Sequence, residues 1–274
     1  MSISNIKEYT QQFGMFGEPI EYNGLNIYPI LVKDAYALDE HINILNIEKK
    51  KFGIEAIQQS YLYFMVCFMM EIPASIKSFL WIVEKVLHIE YDESIVIEGF
   101  ERGEILAKDD EDDDSVVLLI NGYPIAFELN GRKASIFFGD VKLNATQFDE
   151  WRKIILYQNY NGYDDRIISD DVAKIIEQYN RARNQGVHEP TLEDKMLVVL
   201  TSTNETRESI KNMPYRQFER LFDMAVRKVE YATNKILLPN MENKDIEHWV
   251  YRKETDPLAK LFSSADSVGK MKER

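Results

Sequence analysis

The chain has one cysteine, Cys67, so no disulfide can form within it, and a reducing compartment suits it. Cys67 lies in the apolar run YLYFMVCFMM and reads as a core thiol, with no activating histidine nearby. Histidine is scarce too. His41, His88, His188 and His248 are scattered, with no pair at helical spacing, which leaves a zinc site unsupported. The richest apolar window, Tyr61 to Ile72, spans 12 residues before Pro73 and Lys77 interrupt it. That is short of the roughly 20 needed to cross a bilayer, so a buried helix is predicted and no membrane association. MSISNIKEYT has no apolar signal core. Basic residues are outnumbered, 33 Lys and Arg against 46 Asp and Glu, for a net charge of −13. Such a balance disfavours nonspecific binding to nucleic acid or anionic membranes. The phosphate-loop, dinucleotide, serine-elbow and HExxH motifs are all missing. No catalytic, cofactor or metal residue is therefore predicted, and no cofactor.

What is present suffices for a substantial core: 45% hydrophobic and 12% aromatic residues. Asn23-Gly24 sits between the alternating runs of EPIEYNGLNIYPILV and predicts a hairpin. A helical pattern follows, with Tyr36, Leu38, Ile42 and Leu45 inward. A helix over about 54–71, closed by Pro73, and another over 75–88 with Ile76, Leu80, Val83 and Leu87 on one face come next. From residue 91 the period shortens. SIVIEGF, GEILAK, SVVLLI, YPIAFEL, ASIFFGD and VKL predict a meander of about five strands.

Beyond it the chain reads as helical to about 238. Thr146 is a candidate N-cap with Asp149 at the third helical position, ahead of Phe148, Trp151, Ile154 and Ile155. Residues 157–165 read as a loop, and Ser169 as the cap of a helix with Val172, Ile175, Ile176 and Tyr179 inward. Thr191 with Asp194 opens another helix, and a short one covers 206–212. The last begins near Pro214, with Phe218, Leu221, Phe222, Ala225, Val229, Ala232 and Ile236 at core spacing and Pro239 as its stop. The expected class is thus α+β, mostly helical, with an N-terminal β-hairpin and a small antiparallel meander between two helical regions. The expected division is 1–90, a β insert at 91–143, a helical block at 144–239 and a tail at 240–274.

Two features invite a chemical reading. Residues 109–114 are all acidic, but lack the glycine and distal glutamate of a calcium loop, and read as a solvated hairpin turn. The carboxylates Glu98, Glu101, Glu104 and Glu128 are candidates for a metal-dependent nuclease, if at least three converge. The tail carries scattered anchors on a polar background. Leu258, Leu261 and Phe262 stand at i, i+3, i+4 after Asp256-Pro257, the spacing of a short helix laid in a groove. With Trp249 they are the predicted partner-binding residues, and docking onto the chain's own domain fits the same spacing equally well.

Five segments together resemble tail-module proteins of large double-stranded DNA bacteriophages. They are FGEPIEYNGLNIYPILVKDAYALDE (16–40), FDEWRKIILYQN (148–159), the EDK-anchored helix (193–195), MPYRQFERLF (213–222) and the pair His248-Trp249. The resemblance implies a tail assembly chaperone or related morphogenesis protein acting in the host cell cytoplasm. Its implied partners are the tape measure protein and the tail tube protein, with homo-oligomers compatible. A virion structural protein retained in the tail or baseplate is the alternative in that setting. The smaller chaperones of this kind are mostly helical, so the β insert is a departure.

Overall fold

The computed structural model of the chain describes residues 6–13, 16–109, 115–159, 163 and 190–237. The chain is α+β. It divides into two compact units, 1–163 with 205–220, and 164–204 with 221–274.

In the first unit, helix α1 (Ile6–Phe13) precedes the hairpin β1 (Ile20–Tyr22) and β2 (Leu25–Ile27). Asn23 and Gly24 hold φ of 49° and 83° at the turn, the left-handed pair that a two-residue hairpin requires. Helix α2 (Ala35–His41) follows, flanked by single 3-10 turns. It buries Leu38, and the turn after it buries Ile42 and Leu45, but Tyr36, expected inward, is 71% exposed. The predicted 54–71 helix is two, α3 (Ile54–Gln58) and α4 (Tyr61–Glu71). Ser60 separates them, because its backbone is extended and its Oγ accepts the N–H of Tyr63 as a cap. Helix α5 (Ala74–Leu87) buries Ile76, Leu80 and Val83 as predicted, while Leu87 is half-buried.

Strands β3 (Ile105–Asp109), β4 (Ser115–Ile120), β5 (Ile125–Asn130), β6 (Lys133–Phe138) and β7 (Val141–Asn144) form one antiparallel sheet in sequence order. SIVIEGF contributes no strand. Asp92 caps a 3-10 turn at Glu93–Ile95, and the Ile97 N–H donates to the Asn121 side chain rather than to a neighbouring strand. The register places Ala107, Leu118, Phe127, Ile136 and Leu143 in one row, buried from Leu118 to Leu143 and exposed at Ala107 on the edge strand. Phe127 meets Phe79 of α5 at a ring separation of 5.9 Å. The sheet's buried side chains belong to the same cluster as those of the hairpin, α4, α5 and α6. The meander set apart at 91–143 in the sequence thus shares its core with the helices on either side.

Helix α6 (Ala145–Asn159) starts before the expected cap and ends after the expected stop. Asn144 is the cap: its Oδ1 accepts from Thr146 and Gln147, and the Gln147 side chain accepts the Asn144 N–H in return. Thr146 is simply a first-turn residue. Phe148, Trp151, Ile154 and Ile155 are buried, and so are Tyr157, Gln158 and Asn159, which the sequence suggested as loop. Ser169, the helix predicted after it and the acidic residues 110–114 lie outside the described residues.

Helix α7 (Leu192–Ser202) carries the predicted capping box, Thr191 with Asp194. Helix α8 (Arg207–Lys211) is capped reciprocally by Thr206 and Ser209. Helix α9 (Tyr215–Leu237) is the predicted rod. Its apolar stripe is buried at Phe218 and Ala225 but surfaces beyond them, with Val229 60% and Ile236 77% exposed. The expectation that Val229 is core is therefore corrected.

Candidate functional site

Backbone chemistry gathers three distant segments at one place in the first unit. The extended stretch after β2 offers N–H and carbonyl groups that no strand takes. Ile30 N–H donates to Asn159 Oδ1 at 2.8 Å, and the Ile30 carbonyl accepts the N–H of Tyr215 at 2.8 Å. Val32 N–H donates to the Met213 carbonyl at 3.0 Å, and Arg216 donates to the Tyr157 carbonyl. Pro214 forms an isolated bridge with Leu31, and a Cβ at Gly17 would lie 3.2 Å from the Pro214 ring. Gly17 itself has φ of 74°, a second reason for glycine there. Asn159 is 2% exposed and completes its amide by donating to the Ile155 carbonyl. Burial, with Glu219 and Asp39 nearby, pushes the Tyr215 phenol well above its ordinary range.

A second polar cluster lies where α6 meets the turn after α2 and the start of α4. Arg152, 8% exposed, donates to the Leu45 carbonyl at 2.7 Å and to Asp149 Oδ1 through Nε and Nη2. Its guanidinium lies 4.0 Å from the centre of the Tyr61 ring. The Tyr61 hydroxyl donates to the Ile44 carbonyl and accepts the Ile47 N–H, and burial pushes its pKa up. Burial opposes the charge on Asp149, but Arg152 and Lys153 outweigh it and hold the carboxyl below its usual range. Burial lowers Lys49, whose ammonium donates to the carbonyls of Ile57 and Gln59. Every polar group here has a protein partner, so the cluster ties elements together and leaves no group aimed at a ligand.

The loop 91–104 is held on α5 by Tyr123, whose hydroxyl donates to Glu84 at 2.6 Å, and by Arg102, which donates to both and covers the Tyr91 ring. Beside it is an open groove of about 670 Å³, floored by Met69, Ile76, Leu80, Ile105 and Leu118.

The carboxylates considered for a nuclease do not converge. Glu98, Glu101 and Glu104 are exposed around the turns before β3, and Glu104 accepts the Glu101 N–H. Glu128 lies on β5 and pairs with Lys142. Among the described residues no group of three His, Cys, Asp or Glu side chains is placed to hold a metal ion. His41 lies against Trp81 and Ser78, and His88 ends α5 in the left-handed conformation with its ring stacked on Tyr28 at 4.0 Å. Cys67 is half-buried rather than fully buried, and desolvation raises its thiol pKa. His188, His248, Trp249, Leu258, Leu261 and Phe262 lie outside the described residues.

The sequence offered no sign of the Arg152 cluster or of the Asn159 contact, whose partners lie 107 and 129 positions away. No helix among the described residues is long and apolar enough to cross a membrane. No protein-family model, curated protein or solved structure matches this chain.

Proposed function

We propose that this chain is a non-enzymatic bacteriophage tail assembly chaperone. It binds the tape measure protein and tail tube subunits in the host cytoplasm during tail morphogenesis. One observation carries the reading. Three of the segments behind the resemblance, 16–40, 148–159 and 213–222, meet at the junction of Ile30, Asn159 and Met213–Arg216. Separate chance similarities have no reason to fall on one hydrogen-bonded assembly, whereas a shared structural unit does. Exposed apolar side chains such as Phe52, Ile54 and Ile57 add surface suited to a protein partner. Residues Trp249, Leu258, Leu261 and Phe262 of the tail remain the proposed anchors.

The test is co-purification of the full chain with the tape measure and tube proteins, paired with gene deletion in the phage. Capture of both, and aberrant or missing tails after deletion, is the expected result. Failure to bind, with normal tails after deletion, overturns the reading. Mass spectrometry of purified virions separates the chaperone, which leaves the particle, from a structural protein retained in it.

A further inference from the structure

We infer that the exposed stripe of α9 is a docking ridge for an amphipathic helix with acidic flanks, supplied by another protein. The inference rests on the partner-binding reading and specifies its chemistry. Phe222, Ala225, Val229, Ala232 and Ile236 alternate in steps of three and four, the seam of a two-stranded coiled coil. Its exposed part, Val229 to Ile236, runs for about 10 Å along the helix. It emerges from the core along its length: Ala225 is buried, Val229 is 60% exposed and Ile236 is 77% exposed.

The residues beside the seam decide what fits it. Lys228 and Lys235, both exposed, occupy the same flank one heptad apart. Val226 and Thr233 on the other flank carry no charge. Asp223 pairs with Arg227 away from the seam, and Glu230 also lies off it. Lys235 rests over the Tyr231 ring at 4.9 Å. A second copy of α9 gains nothing from these flanks. Parallel pairing sets Lys228 against the uncharged Thr233 of the other copy, and antiparallel pairing sets lysine against lysine. A partner helix with glutamates at its flanks gains an attractive pair at each lysine. The net charge of −13 does not cancel this preference, because charges beyond about 8 Å are largely screened at physiological salt.

The probe is a fluorescent three-heptad peptide with leucine and isoleucine on its seam and glutamate on both flanks. Its control carries lysine on the flanks. Fluorescence anisotropy with the full chain should show the acidic peptide binding more tightly than the basic one. Lys228→Glu with Lys235→Glu should weaken the acidic peptide at least about fivefold and reverse the preference. Val229→Asp with Ile236→Asp should abolish binding of both. These side chains are exposed, so an unchanged circular-dichroism melt separates lost binding from lost folding. Equal affinity for the two peptides, or no binding at all, overturns the inference. So does a dimer that the Val229→Asp, Ile236→Asp variant dissociates, which would make the occupant a second copy. Binding that appears only in a Leu258→Asp, Leu261→Asp, Phe262→Asp variant would assign the ridge to the chain's own tail. Any of these results leaves the phage-based test of function standing, and failure of that test leaves the peptide result standing.

Discussion

The backbone N–H of Ile30 donates to the side chain of Asn159 at 2.8 Å across 129 positions of sequence. The bond is buried at both ends and joins the chain after the hairpin to the last turn of α6. Asn159→Ala removes the acceptor and leaves a desolvated N–H. The expected cost is about 1–3 kcal/mol. Urea unfolding of the two proteins should show a lower midpoint with an unchanged slope; an unchanged midpoint would mean the bond is not made.

The start of α6 is decided by Asn144 and not by Thr146. Asn144 satisfies two N–H groups of the first turn and Gln147 answers it, whereas the Thr146 side chain is exposed. Asn144→Ala should cost about 1 kcal/mol, and Thr146→Ala should stay within about 0.5 kcal/mol. Equal losses in thermal melts would return the cap to Thr146.

Arg152 and Asp149 make stability depend on acid. The folded chain holds the Asp149 carboxyl below its usual pKa, through Arg152 and Lys153 acting against burial. Its contribution is therefore complete above the unfolded value of about 3.9 and fades as pH falls through the lower folded value. The stability gap between the native chain and Asp149→Asn should be present at neutral pH and narrow below about pH 4. Arg152→Met should cost about 2–4 kcal/mol, less than a fully buried pair, because Asp149 keeps 33% of its side chain in water. Chemical unfolding across a pH series measures both effects.

Gln158 is fully buried, and its amide oxygen and nitrogen find no hydrogen-bond partner among the described residues. Replacing it with methionine, close in volume, removes two desolvated polar atoms without opening a cavity. Gln158→Met is expected to stabilise the chain by about 1–2 kcal/mol. A loss of stability in thermal unfolding would indicate an ordered water bound to that amide.

What the sequence disclosed follows from how local each signal is. Asn23-Gly24 needs positive φ in consecutive residues, and that alone sets the hairpin. Thr191 with Asp194 closes a box within one turn, and the alternation of β4 to β6 sets the sheet's inner face. The readings failed where a distant partner settles the outcome. Gln158 and Asn159 look like loop residues, yet both are buried, and Asn159 has Ile30 to bind. SIVIEGF has strand composition, but the Asn121 side chain takes the Ile97 N–H. The break at Ser60 is a local signal, since serine ahead of a helix is a cap, but the helical pattern of Ile54 and Ile57 before it reads on into the apolar run after it. For the candidate junction, the sequence supplied the three segments but nothing to indicate that they touch.

Phe218 and Val229 occupy the same stripe of α9 and should respond oppositely to truncation. Phe218 is fully buried, so Phe218→Ala loses the transfer energy of the ring and leaves a cavity, at about 3–5 kcal/mol. Val229 is 60% exposed, and its side chain is stiff in a helix. Val229→Ala gives up little burial and gains helix propensity, up to about 0.7 kcal/mol, so the net change should be near zero or slightly stabilising. If core packing alone maintained the heptad pattern, Val229→Ala would destabilise alongside Phe218→Ala. Denaturant titration of the two variants decides between them. An insensitive Val229 leaves the exposed half of the pattern to be explained by a surface that the helix offers to something else.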